Sequence, residues 1–139
     1  MIIIGLLWEN SWIHPKHELL MWRDCTALGA DKVIAVPKLH KSIEEYDTMD
    51  ELLKKYKNFK KVFVENRKHP QRQIIYDYEH PKGDVLYLFG KSNTNNLRYV
   101  KPGDDVLYVP IKKGNIIPWP LAICGIVLYD RQVKQWRSQ

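Results

Sequence analysis

A chain of 139 residues, 45% hydrophobic and 27% charged, has room for one domain with a full core and none for a second. That composition excludes a disordered or low-complexity chain. A formal net charge of +6 favours an anionic partner, and nucleic acid is the commonest one.

Met1-Ile2-Ile3-Ile4-Gly5-Leu6-Leu7 is apolar but short, lacks a basic leader and ends at Trp8-Glu9-Asn10. It predicts a first strand over Ile2 to Leu7 rather than a signal peptide or a membrane span, which points to the cytoplasm. Continuous apolar runs of this length are buried on both faces, as in parallel sheets. A helix is expected from His17 to Leu28, stopped by Gly29. Lys32 to Val36 reads as a second strand ended by Pro37. Thr48-Met49-Asp50-Glu51 has the spacing of a capping box, opening a helix through Leu52, Leu53 and Tyr56. Lys61 to Val64 is the third strand. Pro70 to Tyr78 reads as a short helix or helical turn cut off by Pro81. Val85 to Phe89 and Val106 to Val109 are the fourth and fifth strands, and Leu121 to Trp136 the closing helix. The alternation predicts an α/β domain over residues 1–139, with a mainly parallel sheet and helices on both faces.

The last third carries the chemistry. Two near-identical apolar strands stop at Gly90 and Pro110, and strand ends of this kind are where an open α/β sheet binds small ligands. Gly90-Lys91-Ser92 is not a phosphate loop. The first glycine of such a loop would fall on Val85, inside a strand. His14-Pro15-Lys16-His17 has no supporting ligand at a metal-binding spacing, so no metal is expected. Cys25 and Cys124 lie far apart in apolar segments and read as buried thiols of a reducing compartment. No Gly-x-Ser-x-Gly elbow and no Cys with a neighbouring His is present, which leaves hydrolase chemistry without an anchor. Lys54, Lys55 and Lys57 read as the wet face of a helix. Arg67, Lys68 and Arg72 follow the third strand, at the same sheet edge as Gly90 and Lys112. Together these four basic residues predict an anion-attracting rim for RNA. Arg23 stands beside Trp22 in an apolar helix. It reads either as a surface arginine or as one aimed at a substrate phosphate.

Leu88-Phe89-Gly90-Lys91-Ser92, Val109-Pro110-Ile111 and Tyr129-Asp130, with Arg23-Asp24-Cys25-Thr26-Ala27-Leu28-Gly29 upstream, resemble the SPOUT family of RNA methyltransferases. The branch they are most similar to is the small single-domain tRNA 2′-O-ribose methyltransferases. That branch pairs a strand ending Phe-Gly-Pro-Glu with a later Ile-Pro-Met and a helix ending Tyr-Glu. This chain departs from it in three places. Lys91-Ser92 replaces Pro-Glu, with Asn93 the nearest polar substitute. Ile117-Pro118-Trp119 stands where a Ser-Leu-Asn loop is usual. Leu19-Leu20 replaces an Asn-rich lead-in to the arginine.

The resemblance implies a C-terminal trefoil knot, with the segment from about Val109 to Leu121 threading the loop before it. It implies S-adenosylmethionine bound in that knot, mostly by backbone groups. Contacts are expected from Glu65, Asn66, Gly90, Lys91, Val109, Ile111, Leu121 and Trp119, which would stack on the adenine. It implies Arg23 as the residue that orients the ribose hydroxyl, and a homodimer through the first and last helices, with Leu19, Trp22, Ile126 and Val133 as contacts. The function so implied is methylation of a tRNA ribose 2′-hydroxyl. The alternative is a degenerate SPOUT domain that binds RNA or protein and transfers nothing. A flavodoxin-like or Rossmann nucleotide binder would share the alternation, but the chain has no Gly-rich turn after Leu7.

Overall fold

The first apolar run, Ile2–Leu7, forms β1 and is buried along almost all its length. The computed structural model describes residues 1–7, 15–37, 43–90, 96–112 and 120–138. α1 (Pro15–Arg23) passes into a 3-10 segment, Asp24–Leu28. Gly29 ends it at φ 104°, a left-handed conformation that glycine adopts without a Cβ penalty. The helix expected to run to Leu28 therefore tightens at Asp24. β2 (Lys32–Val36) follows as predicted.

β3 (Glu44–Glu45) is an element the sequence does not announce, because two acidic residues carry no strand pattern. It is held by an ion pair of Glu44 with Lys32 at 2.7 Å and by the Tyr46 and Tyr56 hydroxyls, which donate to the same carboxylate. Thr48 caps α2 (Met49–Lys55) by accepting from the Glu51 N–H at 3.2 Å. The Glu51 carboxylate accepts in return from the Asp47 N–H. β4 is Lys60–Val64. The helix expected over Pro70 to Tyr78 is instead an edge strand, β5 (Arg72–Ile74), followed by a 3-10 turn, Ile75–Asp77. β6 is Val85–Gly90, a 3-10 turn spans Asn96–Tyr99, β7 is Asp105–Tyr108 and α3 is Pro120–Arg137. Pairing of β5 with β7 overrides the local turn signals.

The seven strands form one sheet in the order β3-β2-β1-β6-β4-β7-β5, with every pair parallel. Successive residues of a strand face opposite sides, so the sheet has two cores. Ile4, Leu6, Tyr87 and Phe89 pack with Trp22 of α1 and with Cys124, Val127 and Leu128 of α3. Ile3, Leu7, Leu86 and Leu88 pack on the other side with Met49 and Leu52 of α2. The mainly parallel sheet with helices on both faces is thus borne out. Leu19 and Trp22, expected at a dimer contact, are 3% and 0% exposed inside the chain's own core and cannot form one. The Cys25 and Cys124 sulfurs lie 3.5 Å apart as free, buried thiols. The stretch expected to thread the knot falls largely on residues 113–119, which lie outside the described residues. Among the described residues, no helix is long and apolar enough to cross a membrane.

A buried polar network ties α3 to the segment before β6. His80 Nε2 lies 2.7 Å from Asp130 Oδ2, and His80 Nδ1 lies 2.7 Å from the Tyr87 hydroxyl. Arg131 donates to the Pro81 carbonyl and to the Tyr87 hydroxyl, and Lys134 ion-pairs with Asp130 at 2.8 Å. The bonds fit one neutral tautomer: Nε2–H donates to Asp130 and Nδ1 accepts from Tyr87. Burial holds the His80 pKa below its ordinary value, and Lys134 and Arg131 add to that, against the pull of Asp130. Burial also pushes the Tyr87 hydroxyl up to about 12. A base whose folded pKa is depressed contributes stability that is fully present above its unfolded pKa of about 6.5 and lost as pH falls below it. Between pH 7.5 and 5.5 the wild-type melting temperature should therefore fall more steeply than that of His80→Gln. Parallel slopes in thermal melts would show that His80 does not titrate on unfolding.

Candidate functional site at the carboxyl edge of the sheet

All strands being parallel, their carboxyl ends lie along one edge. Leu7 pairs with Gly90 there and Val64 with Phe89. β4 runs on into Glu65, whose N–H donates to the Leu107 carbonyl at 3.0 Å. The Glu65 carboxylate accepts from the N–H groups of Asn66 and Arg67 at 3.1 and 3.3 Å. Burial raises its pKa, and those two amides and the Arg67 charge oppose the rise. Asn66 Oδ1 accepts from the Val109 N–H at 3.3 Å, stitching the end of β4 to the end of β7. Val109 has thereby spent its donor, and only its carbonyl remains to meet a ligand. Ile111 and Leu121 are half-buried, and Leu121, in the first turn of α3, packs against the core.

Arg67, Lys68 and Lys112 are exposed at this edge, on the loops after β4 and β7. Arg72 differs from them. Its guanidinium lies 3.9 Å from the centroid of the Tyr108 ring and donates to the Asn66 carbonyl at 3.3 Å. It buttresses the rim more than it belongs to it.

Gly90 is the tightest point. A Cβ built on it would fall 1.3 Å from Nδ2 of Asn96. Glycine is therefore required here to seat the Asn96 side chain, not to leave open space for a ligand. Asn96 is 2% exposed, and neither of its amide atoms has a hydrogen-bond partner among the described residues. An unpaired buried amide costs about 1–3 kcal/mol. The sequence pattern points to Asn93 in this run, which lies outside the described residues. Nothing in a row of asparagines distinguishes the one that becomes buried. S-adenosylmethionine, which carries a net positive charge, would be held at this edge by backbone groups at the ends of β4 and β7 and by the Glu65 carboxylate, leaving the basic rim to a polyanion.

Two expected contacts, Lys91 and Trp119, lie outside the described residues. Arg23 is described and is not at this edge. It is exposed at the end of α1 and lines a depression of about 270 Å³ with Thr26, Asp31, Lys32 and Glu44. Lys32 pairs with Ile3, whereas Gly90 pairs with Leu7, four residues further along β1. At a strand rise of about 3.3 Å that places Arg23 roughly 13 Å away along the strand direction. A role for Arg23 in this site requires a second copy of the chain. The outer face of α3 carries an apolar groove of about 660 Å³, lined by Leu28, Gly125, Ile126, Tyr129 and Val133. Among the described residues, no group of three His, Cys, Asp or Glu side chains could hold a metal ion.

Gly90→Ala should destabilise the fold by about 1–3 kcal/mol, the usual cost of overpacking. In an Asn96→Ala background the same change should cost far less, because the atom it strikes is gone. Denaturation midpoints of the four proteins in the cycle measure this directly. Equal costs in both backgrounds would mean that Asn96 does not pack on Gly90.

No protein-family model and no curated protein sequence matches the chain. Solved structures match its fold over nearly its whole length. One, from work on the 2-OH methylation of C/U34 on tRNA, aligns with a TM-score of 0.70 at 15% identity, over 99% of this chain and 98% of that one. The SpoU methyltransferase AviRb from Streptomyces viridochromogenes gives 0.72 at 12% identity, over 99% of this chain and 60% of that one. The AdoMet-bound rRNA methyltransferase from Sinorhizobium meliloti gives 0.68 at 11% identity, over 96% of this chain and 56% of that one. The chain thus spans somewhat more than half the length of the latter two proteins. At these identities the likeness establishes the architecture: the chain has the α/β fold of the SPOUT RNA methyltransferases that its motifs resemble.

Proposed function

We propose that this chain is an S-adenosylmethionine-dependent RNA methyltransferase, a single domain over residues 1–139 that methylates a tRNA ribose 2′-hydroxyl. The observation that carries the reading is the carboxyl edge, where the Glu65 carboxylate, the stitched ends of β4 and β7 and a basic rim meet on a fold shared with RNA methyltransferases. Glu65, Asn66, Gly90, Val109, Ile111 and Leu121 would form the cofactor cradle, with Lys91 and Trp119 from the neighbouring loops. The segment from Val109 to Leu121 would thread the trefoil knot.

The methyl group arrives on a sulfonium and is already activated. What remains for the protein is orientation. Arg67, Lys68 and Lys112 would hold backbone phosphates, and Arg72 would brace the loop beneath them. Arg23 would reach in from the partner subunit of a homodimer formed on the α3 groove. Ile126 and Tyr129, 46% and 55% exposed, are suited to that contact. An arginine, with a pKa above about 12, is a poor base, so its part is to hold phosphate and hydroxyl in line. Two buried free thiols 3.5 Å apart fit a reducing cytoplasm.

A second reading, a module that binds RNA and transfers nothing, is favoured by Lys91-Ser92 standing where the family pattern has Pro-Glu. Calorimetry with S-adenosylhomocysteine and tritiated methyl transfer to bulk tRNA and rRNA separate the two. The enzyme should bind the cofactor product and label RNA, and Arg23→Ala should lose labelling while keeping cofactor binding. Cofactor binding without labelling would install the second reading, and light scattering showing a monomer at micromolar concentration would remove Arg23 from the site.

Removing charge at the rim should act through salt. Neutralising Arg67 and Lys68 together should reduce the slope of log K against log salt by roughly 0.7–0.9 for each RNA phosphate left without its cation. Arg72→Gln should in addition lower the melting temperature, because its cation–π contact with Tyr108 is part of the fold.

A further inference from the structure

Cys25 and Cys124 stand 99 positions apart in the chain, one in the 3-10 segment Asp24–Leu28 and the other in α3, yet their sulfurs are 3.5 Å apart. Both are free thiols, 2% and 0% exposed, in the core that also holds Trp22, Val127 and Leu128. The two segments are held side by side at a second point, where the Gln132 amide donates to the Leu28 carbonyl at 2.7 Å. A single buried cysteine serves as a small apolar side chain. Two sulfurs in contact can do more. They need to close by only about 1.5 Å to reach the bonded separation of about 2.05 Å.

We propose that Cys25 and Cys124 are a modification site, a thiol pair that a hydroperoxide converts reversibly to a disulfide stapling the 3-10 segment to α3. This chemistry is independent of any reaction at the carboxyl edge. The Cys25 sulfur, as thiolate, attacks one peroxide oxygen. An S–O bond forms, the O–O bond breaks, and the hydroxide that leaves takes up the Cys25 proton as water. The product is a sulfenic acid. The Cys124 sulfur then attacks the Cys25 sulfur. The S–S bond forms, the S–O bond breaks, and the second hydroxide leaves as water with the Cys124 proton. Two thiols are oxidised, and one hydrogen peroxide is reduced to two waters. Cys25 is placed to react first. It is the second residue of a five-residue 3-10 segment, which opens more readily than the interior of the 18-residue helix that holds Cys124. The hydrogen bond between the sulfurs holds the Cys25 pKa below its ordinary value, against burial and the Asp24 charge. The same bond and burial push the Cys124 thiol up. Leu28 and Gly125, close to the pair in each segment, line the apolar groove of α3, so the disulfide would tie the two walls of that groove together.

Peptide mapping of the intact protein tests this. Wild type treated with a few equivalents of hydrogen peroxide, then unfolded in N-ethylmaleimide and digested, should yield one peptide pair joined through Cys25 and Cys124, with neither thiol alkylated. Dithiothreitol before alkylation should restore both alkylated peptides. The oxidised protein should melt roughly 5 °C or more above the reduced one, because the cross-link closes a long loop in the unfolded chain. Cys124→Ala should stop at a Cys25 sulfenic acid, trapped by dimedone, and Cys25→Ala should give neither label nor link. If a variant does not fold, the joined peptide of the wild type decides alone. Thiols that remain alkylated after peroxide, cysteine peptides that gain oxygen without a link, or a link between two chains would each overturn the proposal. An oxidised form that melts below the reduced one would show a bond strained against the fold and remove the staple. Dimedone labelling of Cys124 in Cys25→Ala would overturn the order of attack and with it the proposed step.

Discussion

The pairing of β1 with β6 is the constraint on which the rest of the structure hangs. Ile2 to Leu7 run in register beside Val85 to Gly90 through the middle of the sheet. A parallel pair cannot be closed by a tight turn, so the chain must cross over by helices. It must also bury both faces, because each strand alternates its apolar side chains between two cores. Trp22 and α3 cover one face and α2 the other. The same register brings Leu7 level with Gly90 and so builds the edge where the candidate site lies.

The two ends of the sheet treat buried polar groups differently. Toward the amino edge, His80, Tyr87, Asp130, Arg131 and Lys134 bond to one another and to backbone carbonyls, leaving only Nε of Arg131 without a partner. That network anchors α3. At the carboxyl edge, Asn96 is buried with no partner among the described residues. The Asn96 amide is packed end-on against Gly90, with no network of that kind around it among the described residues.

How much of this is legible in the sequence depends on the range of the forces involved. Local signals read well. β2 has the predicted ends, Gly29 takes the left-handed conformation, and Thr48 caps α2 through Glu51. Elements that owe their existence to distant partners do not. β3 is two glutamates, the first pinned by Lys32, and β5 is three residues that become a strand only because β7 lies beside them. The site divides in the same way. Glu65, Asn66, Gly90 and Val109 can be placed from strand ends alone. The packing of Asn96 on Gly90 cannot, because a one-dimensional pattern does not encode which asparagine of a run is buried. Arg72 looks like one more cation in a basic stretch until Tyr108 and the Asn66 carbonyl claim it.

The net charge of +6 speaks to the class of partner and to nothing finer. Cations are spread around the molecule. Lys57, Lys61 and Lys101 crowd a small depression lined by Asp104, toward the amino end of β4, and burial lowers the Lys61 pKa there. A field of that kind speeds encounter with a polyanion from many directions and is blind to sequence. Selectivity for one ligand must then come from groups that carry no charge and cannot be reached until water has been removed. On this fold the groups placed to supply it would be those of the carboxyl edge, where Asn66 and the Val109 N–H stitch the ends of β4 and β7 together.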